Sequence, residues 1–194
     1  MSAGAALPDW LELHRGDAPL IVSLPHTGTE LPPELAERFV SPWLARRDTD
    51  WWVQHLYDFA RVLGATTLRT AISRSVIDVN RDPDGVSLYP GQNTTGLCPL
   101  TTFDDQPLYR DGQAPDAAEI ARRRAAWFDP YHATLAAEIA RLRSRHPAVV
   151  VYDAHSILSR IPHLFDGELP QFNLGTAGAG GAHDTSCAPA LADA

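Results

Sequence analysis

Lysine is missing from this chain, because all 16 of its basic residues are arginine. Lysine Schiff-base chemistry and the ammonium of a phosphate-binding loop are thereby excluded, and any anion must be held by arginine, backbone or metal. Cysteine is almost as scarce. Cys98 and Cys187 stand far apart with no Cys-x-x-Cys pair, so neither a disulfide framework nor a cysteine-rich zinc site is expected. No apolar run reaches the roughly 18 residues that a membrane span needs. The stretch from Met1 to Asp17 lacks the basic-then-apolar order of a signal peptide. The expectation is a cytoplasmic protein without a membrane partner. Positive charge is also in deficit: a formal net charge of -8 argues against nucleic acid as a partner, because phosphate backbones call for a clustered basic face.

What is present suits a soluble globular protein. With 194 residues, 44% hydrophobic and 21% charged, the chain has enough apolar material for one domain spanning residues 1–194. Pro19 to Leu24 is short, apolar and β-leaning, and it runs into Pro25-His26-Thr27-Gly28 as a strand runs into a loop. Trp52, Val53, Leu56, Phe59, Ala60 and Leu63 recur at helical spacing, with Asp48, Thr49 or Asp50 as cap and Gly64 as stop. Thr66 to Ile72 reads as a second strand, and Ser75 to Val79 as a short extended run. Asp82 to Gly112 is a long irregular excursion rich in Pro, Gly, Asn and Asp. Pro115 to His146 carries one apolar helical stripe with arginine on the other face, divided or kinked at Pro130. Val149 to Tyr152 is a last strand, ending in Asp153-Ala154-His155-Ser156. Alternating strands and helices favour an α/β sheet, whose ligand sites gather at the carboxyl ends of the strands.

His26 and His155 both fall at such ends. One histidine after a strand carries little weight, but two with a carboxylate meet the need of a catalytic zinc site for three N or O donors and an open position. Asp50 can supply the carboxylate, with Asp48 as a rival, and either can instead be the helix cap. The run Ser73 to Arg81 sets two arginines and an asparagine around an apolar centre, and arginine forks match carboxylates. Asp153 is placed to orient a ligand histidine or to cap a turn. No Gly-x-Ser-x-Gly occurs, and Ser156 beside a histidine does not make a triad.

Taken in order, several blocks carry a resemblance over nearly the whole chain. They are Pro25 to Pro32, Asp48-Thr49-Asp50-Trp51, Ser73-Arg74 through Asp78-Val79-Asn80-Arg81, and Ser87 to Gly91. Further along come Asp153 to Ile157, Ile161-Pro162 with Leu164 to Gly167, and Phe172 to Thr176. Together they resemble the N-formylglutamate deformylases (N-formylglutamate amidohydrolases), zinc hydrolases related to the carboxypeptidase and aspartoacylase group. The resemblance implies a carboxypeptidase-like three-layer α/β/α fold around a mixed sheet. It implies a zinc ion held by His26, Asp50 and His155, with Asp50 preferred over Asp48. Asn80-Arg81 is similar to the pair with which such enzymes hold a substrate carboxylate, Arg74 to a second anion contact and Arg160 to a third. The implied reaction is hydrolysis of N-formyl-L-glutamate to formate and L-glutamate in histidine degradation, so the expected partner is a small acidic N-acyl amino acid. The rivals are a deacylase of another N-acyl amino acid and a non-catalytic metal-binding module of the same fold. Family members continue beyond the Asn173-Leu174-Gly175 block, and the general-base glutamate of the resemblance is expected beyond Ala194. The chain is accordingly expected to lack the C-terminal part of the family fold.

Overall fold

The structure is a computed structural model that describes residues 6–84, 96–161, 167–169 and 171–172. Two compact units divide the chain, one comprising Met1–Gly85 and Thr95–Ser156, the other Val86–Thr94 and Ile157–Ala194. The blocks at 87–91, 162–166 and 173–176, and the Gly/Ala-rich stretch 175–194, lie outside the described residues.

The first unit is built on a four-stranded mixed sheet ordered β1-β3-β2-β4, with β1 Leu11–His14, β2 Leu20–Leu24, β3 Thr66–Thr70 and β4 Val150–Asp153. β3 runs parallel to β2, Val22 facing Thr67, and β4 parallel to β2, Val22 facing Tyr152. β1 is antiparallel to β3, with Leu13 opposite Leu68. The sequence carries no announcement of β1, because Leu-Glu-Leu-His is too short for a periodic signal. Tertiary pairing with β3 makes it a strand.

Helices lie on both faces, and a first short helix, α1 (Pro33–Ala36), precedes them in the chain. Ser23 of β2 points to the face covered by α5 (Asp129–Arg143), where its hydroxyl meets that of Tyr131 at 2.8 Å. Its neighbours Val22 and Leu24 point the other way, into a cluster with Val53 of α2 (Val53–Leu56) and Ala60 of α3 (Phe59–Val62). This is the α/β/α layering around a mixed sheet that the resemblance implies.

Some elements depart from the periodicity. The stripe from Trp52 to Leu63 forms two one-turn helices, α2 and α3, not one continuous helix, and only Val53 and Ala60 of it are buried. Trp52 enters α2 in the left-handed conformation, φ 66°, and no side chain of Asp48, Thr49 or Asp50 caps it. Gly64 does supply the expected stop, with φ 74°. Ser75 to Val79 is a run of turns, not an extended segment.

The long helical region is α4 (Ala117–Arg123), a π-helical turn (Arg124–Phe128) and α5, with Pro130 in the first turn of α5, directly after the π-helical turn. Its arginines are not all on a solvated face. Arg123 is buried, donating to Glu119 at 2.7 Å, the Val76 carbonyl at 3.0 Å and the Tyr109 hydroxyl at 2.8 Å. Glu138 of α5, also buried, is held by Arg15 at 2.7 Å and Arg141 at 2.6 Å. These pairs tie α4 and α5 to the loops flanking the sheet.

Candidate metal centre

His26, Asp50 and His155 come from three separate places in the chain. His26 lies two residues beyond the end of β2 and His155 two residues beyond the end of β4, so neighbouring parallel strands deliver both rings to the same sheet end. Asp50 sits just before α2, its backbone N–H bonded to the His26 carbonyl at 2.9 Å. One ligand atom from each of the three lies within 4.8 Å of the others. The Nδ1 atoms of His26 and His155 stand 3.7 and 3.1 Å from the same Asp50 oxygen, and the ring centroids are 4.7 Å apart. His26 and Asp50 are buried while His155 remains partly exposed, so the cluster has one open side.

The far nitrogens of both rings are tethered by one loop. His26 Nε2 lies 2.6 Å from Asp78 Oδ1, and His155 Nε2 lies 3.0 Å from the side-chain amide of Asn80. For each Nδ1 to present a lone pair, Nε2 must carry the proton. Asp78 accepts that proton's hydrogen bond from His26; at His155 it is the Asn80 Nδ2 that stands 3.0 Å from Nε2, so Asn80 accepts from the ring only once its amide is turned to present the oxygen. Burial lowers the His26 pKa, which favours the neutral, ligating ring; Asp78 opposes the shift and Arg74 reinforces it. Two neutral nitrogens, a carboxylate and carboxylate support behind a ring match the donor set of a zinc site, so the residues fit the ion.

Asp78 is fully buried and carries more than His26. It accepts from Arg74 at 2.8 Å and from the Asn80 backbone N–H at 2.9 Å, and Arg81 approaches to 3.7 Å. Burial alone would raise its carboxyl, but His26, Arg74 and Arg81 hold it well below the usual carboxylate range. With His26 neutral, the two guanidinium groups are the standing charges that keep it ionised.

The loop after His26 is held from beneath. Gly28 packs so closely on β3's exit that a Cβ would stand 2.2 Å from the Ile72 carbonyl oxygen. Arg69 donates to the Thr27 hydroxyl at 3.0 Å, and Arg46 to the Thr29 carbonyl at 2.6 Å.

Of the residues singled out from the sequence, His26, Asp50, His155, Arg74, Asn80 and Arg81 converge. Asp48 stays apart: it accepts from the Phe103 backbone N–H at 2.8 Å, and burial raises its pKa. Asp153 does not orient His155, whose ring nitrogens already face Asp50 and Asn80. Arg160 belongs to the second unit, where it pairs with Glu168 at 3.2 Å. Ser156 donates to Asp50 at 2.8 Å, the carboxylate that also faces His155 Nδ1. Hydroxyl and imidazole thus converge on one acid, and the Ser–His bond that activates a nucleophile is not formed. Sequence reasoning missed the parts of Asp78 and Asn80 as supports of the two histidines; their spacing of two residues was the available signal.

A mixed α/β sheet with a His/Asp/His cluster at its carboxyl end, backed by a buried carboxylate and flanked by arginines, makes a candidate metal centre. The chain belongs to the N-formylglutamate amidohydrolase family, whose sequence profile matches residues 18–194. It is 51% identical over 183 residues to an N-formylglutamate deformylase of Pseudomonas aeruginosa, covering 94% of this chain and 66% of that protein. A deformylase of the same description from Pseudomonas putida is 45% identical over the same shares. The crystal structure of an N-formylglutamate amidohydrolase from Ralstonia eutropha superposes with a TM-score of 0.66 at 28% identity, covering 82% of this chain and 62% of that one. The chain therefore spans just under two thirds of the length of these relatives.

Proposed function

We propose that this chain provides the metal-holding and anion-holding part of a zinc-dependent hydrolase that converts N-formyl-L-glutamate and water to formate and L-glutamate. The observation that carries this reading is the convergence of both histidine Nδ1 atoms on Asp50, with Asp78 and Asn80 behind the rings. The names of the relatives supply the substrate class. The chemistry that a zinc ion would bring when held by His26, Asp50 and His155 is Lewis acidity toward the formyl carbonyl and acidification of a water molecule.

The remaining tasks fall to side chains. Arg74, Asn80 and Arg81 fix the carboxylates of the substrate, and that positioning favours an acidic amino acid. As water oxygen adds to the formyl carbon and the carbon–nitrogen bond breaks, a base must take a proton from water and an acid must return one to the departing amine. Asp78 is committed to His26 and two arginines, and Asp50 belongs to the cluster. The proton carrier in this reading is the family's glutamate, expected beyond Ala194. The reaction fits a cytoplasmic step of histidine degradation.

The test is formate release from a panel of N-formyl and N-acetyl amino acids, with and without chelator, by the 194-residue chain and by a family-length version. N-Formyl-L-glutamate should be preferred, chelator should abolish turnover, and the shorter chain should be slower by about a hundredfold or more. Preference for an acetyl substrate would select the other deacylase reading. Stoichiometric zinc without formate from the longer protein would select the non-catalytic module. Loss of activity in Ser156→Ala with no effect of chelator would select a serine hydrolase.

A further inference from the structure

The segment Ser73 to Arg81 carries Asp78 and Asn80 behind the two histidines, but as a run of turns it has no sheet ladder or helix to fix its course. Side chains from distant elements hold it by its carbonyl oxygens instead. The Tyr109 hydroxyl donates to Ser75 at 3.3 Å, Arg123 of α4 to Val76 at 3.0 Å, and Nε2 of His132 on α5 lies 2.8 Å from the Val79 carbonyl oxygen. A carbonyl oxygen only accepts, so His132 carries a proton on Nε2 and donates it. The same peptide, Val79–Asn80, is held at its other end. Its N–H donates at 2.9 Å to Asp78 Oδ1, the oxygen that stands 2.6 Å from His26 Nε2. A trans peptide is planar with C=O and N–H pointing opposite ways, so anchoring the oxygen on His132 aims the N–H at Asp78.

The π-helical turn explains how His132 reaches this loop together with Arg123. At about 100° per residue, nine residues of continuous α-helix would set the two side chains about 180° apart. A π turn encloses one residue more than an α turn, which reduces the angle to about 80° and puts both on one side. Phe128, the buried last residue of that turn, stacks on the His132 ring with centroids 4.2 Å apart and holds it in place. We propose that His132 is a positioning residue of the metal centre: its donation to the Val79 carbonyl orients the Val79–Asn80 peptide, and through that peptide's N–H it fixes Asp78 against His26. The inference rests on the zinc reading of His26, Asp50 and His155, and adds to it a residue on the far side of the loop.

Zinc affinity of the 194-residue chain is measured by competition with a chromophoric chelator for the parent, His132→Phe, His132→Gln and Asp50→Asn, beside melting in excess chelator. Phenylalanine keeps a ring against Phe128 but has no donor, whereas glutamine ends in an amide N–H that can take the place of Nε2. His132→Phe should bind zinc about tenfold more weakly, and His132→Gln should recover to within about threefold of the parent. Where His132→Phe does not fold, His132→Leu supplies the variant without a donor. Zinc affinity within about twofold of the parent in the variant without a donor, whatever its melting point, would overturn the proposal, because a merely structural ring changes stability alone. Equal losses in that variant and in His132→Gln would overturn it too, since the donor would then be irrelevant. Zinc affinity unchanged in Asp50→Asn would reject the zinc reading itself, and the proposal with it.

Discussion

Asp78→Asn is the substitution that separates a support of the metal site from a structural ion pair. The carboxylate is fully buried, 2.6 Å from His26 Nε2, 2.8 Å from Arg74 and 3.7 Å from Arg81. Asparagine keeps the shape but removes the charge. It either offers His26 a weaker neutral acceptor or turns its NH2 to the ring. The second arrangement forces the proton onto Nδ1, the atom aimed at Asp50, and so blocks it as a ligand. Removing such a support costs on the order of 10–100-fold in metal affinity, or about 1.4–2.7 kcal/mol. Stability should fall as well, because two guanidinium groups lose their shared anion. Breaking a fully buried pair costs about 3–5 kcal/mol, and the 15% and 25% exposure of the arginine side chains lowers the expectation to roughly 2–4. Zinc affinity is read by competition with a chromophoric chelator, and stability by melting in excess chelator, where only the metal-free protein contributes. Zinc affinity within about twofold of the parent, alongside a lowered melting point, would show that Asp78 serves only the ion pairs and refute its part behind His26.

Asp50→Asn should lose zinc in elemental analysis while Asp48→Asn keeps it, since only Asp50 faces both rings; the reverse ranking moves the ligand to Asp48. Arg81→Lys should raise KM for the acidic substrate with metal content unchanged, because an ammonium cannot reproduce a two-pronged contact; an unchanged KM places the anion elsewhere. Asn80→Ala discriminates two parts for one residue: weaker zinc binding marks support of His155, a raised KM at full zinc occupancy marks contact with substrate. Burial opposes ionisation of Glu138, but Arg15 and Arg141 hold its pKa below the ordinary value. The stability it contributes is therefore complete above about pH 4.5, the unfolded range, and is lost as pH falls through the lower folded value. Acid titration of melting temperature should show this slope in the parent and a flatter one in Glu138→Gln.

The sequence by itself determined the class of fold and singled out His26, Asp50 and His155, which the structure brings together. β2 and β4 are short apolar runs ended by histidine-bearing loops, and that pattern is local, so it is legible without coordinates. The ordered blocks around His26, Asp50, Arg74 to Arg81 and His155 were likewise visible as a family resemblance. Tertiary structure alone decided how those residues share the work. Asp48 and Asp50 are two positions apart and chemically equal; only the hydrogen bond of the Asp50 backbone to the His26 carbonyl turns its carboxylate to the rings. Asp78 and Asn80 became supports of two histidines because a run of turns, where extended chain was expected, brings both to the rings' far side. Arg123, an ordinary polar position on a helical wheel, is buried because Tyr109 and Val76 arrive from elsewhere to accept from its Nη1, while Glu119 one turn back on α4 accepts from its Nε. The apolar stripe of α2 and α3 shows the limit from the other side: hydrophobic spacing records that a face is meant to be covered, while which element covers it depends on contacts distant in sequence.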